Sequence, residues 1–173
     1  LMEGSGQPEK TIVALSKALE KEPHHVLALH GLGNAFKTLS RLEEAKAAFQ
    51  AALKIDPSLS MARTNLAAVL YEIGDFKGAT EESQRAIKIN PDLYEAQYNL
   101  GTALQELGRH DEAIIAYEQV VIRQPKHAAA AMNIAYGLQQ MGRLDAASTA
   151  FEKAIAIDPS FAKAYVNLAD LRL

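Results

Sequence analysis

Four asparagines stand at the same register of the chain, each 34 residues after the one before: Asn65, Asn99, Asn133 and Asn167. An asparagine side chain offers both hydrogen-bond donors and an acceptor. A row of such groups could grip the backbone of an extended peptide whatever the peptide's side chains, which would be a binding function without catalysis. The alternative is that these asparagines serve the repeating structure itself. In either case the elements that carry the column must repeat with the same period.

Other residue types with catalytic or metal-binding chemistry do not form a recognisable site. The five histidines lack the spacing of metal ligands on one helix face: His24, His25, His30, His110 and His127. Because the chain has no cysteine, thiol catalysis, Cys-ligated zinc and disulfides are excluded. The run Gly31-Leu32-Gly33 fails as a dinucleotide fingerprint, since Phe36 replaces the third glycine. The sequence predicts no enzyme, no catalytic residue, no metal and no cofactor.

Charge and composition limit the partners and the fold class. Lys and Arg number 18 against 21 Asp and Glu, a net charge of −3, so no basic excess is available to neutralise a nucleic acid. No apolar run reaches the roughly 18 residues of a membrane span, and we expect no membrane partner. The compartment is not encoded, and the cytoplasm is the expected location. Only 6% of residues are aromatic and alanine is abundant, which favours helices over strands.

The same 34-residue period governs residues that shape the backbone. Five of the six prolines follow it: Pro23, Pro57, Pro91, Pro125 and Pro159. Each follows a segment with helical periodicity and therefore indicates a turn between two helices. A small residue recurs in register as well: Gly33, Ala67, Gly101, Ala135 and Ala169. We interpret these small residues as positions where two helix backbones approach each other closely.

Each repeat also contains a signal for a turn between two helices. Gly74, Gly108 and Gly142 are again 34 residues apart, and a glycine accepts the positive φ that ends a helix. In the first repeat this register holds Ser40, and Glu43 follows three residues later. We interpret residues 40–43 as a capping box in which Ser40 begins a helix. We therefore predict that every repeat consists of two helices of about 12 to 14 residues.

These residues resemble the tetratricopeptide repeat family. The third repeat carries the pattern most fully, in Ala96-Gln97-Tyr98-Asn99-Leu100-Gly101, Leu107-Gly108, Glu112-Ala113, Tyr117 and Pro125. The resemblance implies an all-α fold, a right-handed solenoid of helical hairpins that forms a superhelix. It implies four full repeats at 26–59, 60–93, 94–127 and 128–161. A half repeat is expected at 8–25 (a second helix) and another at 162–173 (a first helix), and residues 1–7 are expected to be a cloning scar or flexible end.

The resemblance also implies a peptide-binding groove lined by the first helix of each repeat. Its expected contact residues are the asparagine column together with Asn34, Tyr71, Glu72, Glu95, Tyr98, Gln105, Glu106, Tyr136 and Gln139. The tyrosines are candidate anchors for ligand side chains, with packing between first helices as the alternative. A similar asparagine column lines the superhelical arm of O-linked N-acetylglucosamine transferase, and that likeness suggests a mechanism. A clamp for chaperone carboxylates is not expected, because Glu95 stands where the family's clamp carries a cation.

The function expected from this resemblance is a protein–protein interaction scaffold that binds an extended peptide or partner segment in the concave groove. The predicted groove residues between Met61 and Gln140 include acids and no Lys or Arg, so we expect neutral or basic peptides to be preferred. One alternative is a substrate-recruiting arm of a larger enzyme such as a glycosyltransferase. Another is a self-assembling structural unit that associates end to end through its complementary half repeats.

Overall fold

The computed structural model describes residues 6–160 and 162–171, and in these ranges it is helical without strands. Of the predicted flexible end at 1–7, the first five residues lie outside the described residues, and Gly6 and Gln7 begin the first helix. The last two residues of the predicted half repeat at 162–173 also lie outside them. The helices are α1 (Gly6–Lys21), α2 (Val26–Thr38), α3 (Leu42–Ile55), α4 (Ser60–Ile73), α5 (Phe76–Ile89), α6 (Tyr94–Glu106), α7 (His110–Arg123), α8 (Ala128–Gln140), α9 (Leu144–Ile157) and α10 (Ala162–Asp170).

The chain divides after Pro91 into two compact units. Unit 1 contains the hairpins α2–α3 and α4–α5, with α1 packed on α2 and α3 packed on α4. Unit 2 contains the hairpins α6–α7 and α8–α9, with α7 packed on α8 and α9 on α10. Within each unit, successive hairpins therefore share a helix-on-helix core. The prediction of an all-α solenoid of helical hairpins is confirmed, while the exact repeat boundaries stay a prediction.

Three of the four hairpins are held around a position where a large ring meets a small residue. Phe49, Tyr117 and Phe151 on the second helices are fully buried. A Cβ placed on Gly33 would lie 2.6 Å from the Phe49 ring, and one on Gly101 would lie 2.7 Å from the Tyr117 ring. The glycines therefore let the ring of the second helix touch the backbone of the first. This contact explains the small residue that recurs in register along the sequence.

The turn inside each hairpin uses the left-handed backbone conformation. Gly74, Gly108 and Gly142 have positive φ, and Ser40 adopts φ 57° at the same register. The prediction that Ser40 caps α3 is wrong: α3 begins at Leu42 after Arg41, and no side-chain capping bond is made there. Ser40 instead ends the turn after α2, where its amide donates to the Lys37 carbonyl. Tertiary pairing of α2 with α3 thus imposes on serine the conformation that glycine adopts in the other repeats.

The turns between hairpins contain two matched Asp-Pro-Ser sequences, at 56–58 and 158–160. The Asp56 carboxylate accepts hydrogen bonds from the amide and the hydroxyl of Ser58, at 2.9 and 2.6 Å. Asp158 makes the same pair of bonds with Ser160. The bond from the serine hydroxyl, followed by that from the amide, lowers the pKa of each carboxyl below its ordinary value. The Asp-Pro dipeptides predicted these turns, and the serine bonds complete them.

Candidate functional site

The predicted contact residues lie on first helices, which are α2 and α4 in unit 1 and α6, α8 and α10 in unit 2. Unit 1 carries Asn34 on α2, and Asn65, Tyr71 and Glu72 on α4. Unit 2 carries the remainder: Glu95, Tyr98, Asn99, Gln105, Glu106, Asn133, Tyr136, Gln139 and Asn167. We call the side of these helices that bears the asparagine column the first-helix face of each unit.

In unit 1 the column asparagine links two successive first helices. The Asn65 side-chain amide donates to Oδ1 of Asn34 at 2.8 Å, and its nitrogen lies 3.1 Å from Nε2 of His30. The His30 ring in turn packs on Phe49, with ring centroids 5.7 Å apart. One carboxamide on α4 is therefore tied to two side chains on α2, and through His30 it is connected to the core of the first hairpin.

The protonation state of His30 decides whether this link can form. Burial, followed by the nearby charge of Lys37, lowers the pKa of His30 below its ordinary value. The ring is therefore neutral at pH 7, and its Nε2 accepts a hydrogen bond from the Asn65 amide. A protonated ring would instead present a donor to another donor. The Asn65–His30 link consequently requires neutral histidine.

Unit 2 repeats this arrangement with a tyrosine. The Tyr98 hydroxyl is hydrogen-bonded to the side chain of Asn133, and the Tyr98 ring lies 5.7 Å from Tyr117 and 5.0 Å from His127. Burial raises the pKa of Tyr98, while the Asn133 bond opposes that rise. Tyr98 stands two periods after His30, and Asn133 two periods after Asn65. In both units a column asparagine thus bonds to an aromatic side chain of the preceding repeat, through a ring nitrogen of His30 and through the hydroxyl of Tyr98.

This partnership was missing from the predicted contact set. His30 stands at a groove position of its first helix, but its bond to Asn65 was not predicted, and Tyr98 was assigned as a ligand anchor. The signal was present in the sequence, because a ring stands 35 residues before both Asn65 and Asn133. At these two positions the asparagines connect neighbouring first helices, which agrees with the alternative that the column serves the repeating structure.

The other predicted residues differ in exposure. Glu72, Glu95 and Glu106 are exposed, whereas Asn99, Gln105, Tyr136, Gln139 and Asn167 are half-buried. Tyr71 is half-buried as well and packs against Phe76 with ring centroids 5.4 Å apart. Neither α6 nor α8 contains a Lys or Arg, while α6 contains two glutamates. Helices α6 and α8 together therefore carry negative charge without a compensating cation of their own.

Among the described residues, no cluster of three His, Asp or Glu residues is arranged to hold a metal ion. In the same ranges, no helix combines the length and the apolar character needed to cross a bilayer.

Comparison with solved structures finds close matches in fold. A crystal structure of MamA protein is 28% identical over 91% of this chain and 86% of that chain, with a TM-score of 0.83. The crystal structure of YrrB, described as a TPR protein with an unusual peptide-binding site, is 28% identical over 93% of this chain and 83% of that one, with a TM-score of 0.84. MamA from Desulfovibrio magneticus RS-1 is 23% identical over 90% of this chain and 88% of that chain, with a TM-score of 0.84, and shows the fold alone.

Comparison with family models identifies the repeats, although no curated protein sequence matches this one. Two models described as tetratricopeptide repeat match residues 4–66 and 92–160. A third, described as TPR repeat, matches residues 67–108. Together the matches run from residue 4 to residue 160, over both compact units. The chain therefore belongs to the tetratricopeptide repeat family.

Proposed function

We propose that this protein is an interaction scaffold whose first-helix faces bind an extended segment of a partner protein. Tetratricopeptide repeats stack hairpins so that their first helices present a binding surface, and the structurally similar YrrB is described as having an unusual peptide-binding site. The charge of α6 and α8 is the observation that supports the proposal most strongly. These two helices together contain two glutamates and no basic residue. Neutral or basic peptides are therefore the expected ligands of this face.

The asparagines can take part in binding even where they bond within the protein. A carboxamide has two N–H donors and an oxygen with two lone pairs. The bond between Asn133 and Tyr98 uses only part of that capacity, so Asn133 can still pair with a peptide backbone. Tyr98 then fixes the orientation of the asparagine before the ligand arrives. Such preorganisation lowers the entropic cost of binding. The proposed mechanism is similar to that of the asparagine column in O-linked N-acetylglucosamine transferase.

A peptide array followed by titration tests this proposal. Extended peptides of neutral, basic and acidic composition are screened, and the best binders are titrated against the wild-type protein by fluorescence anisotropy. The double substitution Asn99→Ala with Asn133→Ala should weaken binding by about tenfold, as expected for the loss of one or two hydrogen bonds. Gln84→Ala, which truncates an exposed amide on α5, is the matched control and should leave binding unchanged.

Two results would overturn the proposal. Enrichment of acidic peptides on the array would refute the assigned charge preference. Unchanged affinity in the double variant, together with a large loss of thermal stability, would assign the column to the fold alone. The recruiting arm of a larger enzyme and the end-to-end assembly stay predictions of the sequence, and sedimentation at increasing concentration measures the second directly.

A further inference from the structure

A second surface of unit 2 contains an apolar cleft of about 480 Å³. It lies between α7 and α9 and has α8 as its floor. Its base is formed by three residues of α8, Ala131, Ile134 and Leu138. Its walls include Val121 of α7 and Ile157 of α9. On α8 these residues stand on a different face from Asn133, since each differs from it by about 100° or more around the helix axis. The cleft is therefore separate from the first-helix face.

Unit 1 fills the corresponding register with an ion pair. Arg63 and Glu82 stand two periods before Ala131 and Ala150, which line the cleft. Arg63 Nη1 lies 2.7 Å from Glu82 Oε2, and the side chains are only 15% and 12% exposed. The same arginine donates to the Pro57 carbonyl at 2.9 and 3.1 Å.

In unit 2 both long side chains are replaced by alanine. The space that Arg63 and Glu82 occupy in unit 1 is consequently bounded by methyl groups and branched aliphatic side chains in unit 2. Burying an ion pair is less favourable than filling the same space with apolar side chains. Alanine at both positions provides neither an ion pair nor enough side-chain volume to fill the space. The cleft therefore offers a partner apolar surface that this chain leaves uncovered.

The charges at the edges of the cleft indicate what kind of partner fits it. Glu118 lines the α7 side of the cleft and Lys153 lines the α9 side. Ile115 and Ile122 are 60% and 68% exposed and stand on the same face of α7 as Glu118, one turn to each side. The two walls of the cleft therefore carry opposite charges, and the two isoleucines lie on the other side of Glu118 from the cleft-lining Val121.

We propose that the unit 2 cleft is a docking site for an amphipathic helix of a partner protein. The helix inserts an apolar side chain of leucine size between α7 and α9. A basic residue of that helix meets Glu118, and an acidic residue meets Lys153. A small apolar molecule would fill the cleft but meet neither Glu118 nor Lys153, so the opposite charges on the two walls favour a helix. This proposal does not depend on peptide binding at the first-helix face.

Variants that fill the unit 2 cleft can be designed from the residues that the other repeats carry at the same positions. Ala131→Arg with Ala150→Glu introduces the ion pair of unit 1 into the cleft, and Lys153 stands where Arg85 contacts Glu82 in unit 1. A second variant, Ala131→Leu, introduces the residue that the first repeat carries at this register, Leu29. Either variant fills the cleft from within, and circular dichroism verifies that each remains folded.

The probe is a display library of amphipathic helices of about 15 residues, a length at which isolated helices become stable in water. Leucine is fixed at a central position, and the flanking surface positions vary. Selection on the wild-type protein should enrich a basic and an acidic residue on opposite sides of the leucine. Selected peptides should bind each filled variant at least about tenfold more weakly, the expected effect of excluding one leucine side chain. Asn99→Ala with Asn133→Ala should leave their affinity unchanged.

A charge reversal completes the test. Glu118→Lys with Lys153→Glu should favour peptides with exchanged flanking charges. The proposal is overturned if no peptide is selected, or if the filled variants bind the selected peptides as tightly as the wild type. Binding of decanoate without binding of any helix would assign the cleft to a small apolar ligand instead. Concentration-dependent self-association that the filled variants abolish would assign it to a second copy of the chain.

Discussion

Replacing Asn65 by alanine should destabilise unit 1 by about 1–2 kcal/mol. The substitution removes the bond to Asn34 and the contact with His30, and a neutral side-chain hydrogen bond contributes about 1 kcal/mol net. All three side chains are half-buried, so water can reach the groups left behind and the cost does not approach that of a fully buried orphan. Alanine also forms helix slightly better than asparagine, which offsets part of the loss.

The contribution of His30 to this link should vary with pH in a defined direction. Its pKa is lowered in the folded state by burial and then by Lys37, so the unfolded chain takes up the proton first as the pH falls. The free energy of unfolding should therefore be unaffected above the ordinary histidine pKa of about 6.5. It should decrease as the pH drops below that value, down to the lower pKa of the folded state. His30→Phe keeps a ring against Phe49 and should remove this dependence.

A double-mutant cycle between Asn65→Ala and His30→Phe measures the link. Urea unfolding followed by circular dichroism at pH 8 should give a coupling energy of about 0.5–1 kcal/mol. At pH values where His30 is protonated, the coupling should disappear. Gln50→Ala, an exposed substitution on α3, is the control and should change the free energy of unfolding by less than about 0.5 kcal/mol. A coupling that is absent at pH 8, or equally large at acidic pH, refutes this account of the asparagine.

Two further predictions concern buried and turn serines. Ser83 is fully buried where the other hairpins have Phe or Tyr, and its hydroxyl has no hydrogen-bond partner among the described residues. Ser83→Ala should therefore raise the free energy of unfolding by about 1 kcal/mol. A lower free energy of unfolding in urea denaturation would contradict this. Ser58→Ala removes the hydroxyl bond that most lowers the pKa of Asp56, so the carboxyl pKa measured by NMR titration should rise towards 3.8, its ordinary value, while that of Asp158 stays unchanged. Since a lowered carboxyl pKa stabilises the fold above the unfolded value and the effect is lost on acidification, the variant should also lose some of its stability near neutral pH relative to strongly acidic pH.

The period of the sequence was sufficient to predict the hairpins because turns and close approaches impose strict residue types. Glycine at 74, 108 and 142 and proline at the repeat junctions restrict the backbone locally. Ser40 shows the limit of that inference. The local sequence of residues 40–43 fits a capping box, but the packing of α2 on α3 requires a left-handed residue at this position. Local preference was overridden there by tertiary contacts.

For the candidate site, the asparagine column likewise separates what the sequence determines from what the tertiary structure decides. The sequence by itself determined which helices carry Asn65 and Asn133 and which side of each helix they share, since helical spacing fixes a residue's face. The tertiary structure decided what these side chains touch, namely His30 in one unit and Tyr98 in the other. It also decided that the register filled by Arg63 and Glu82 in unit 1 becomes an open apolar cleft in unit 2. Residue type and periodicity act along one chain segment, whereas hydrogen-bond partners and clefts arise between helices, where the packing distance sets which side chains meet.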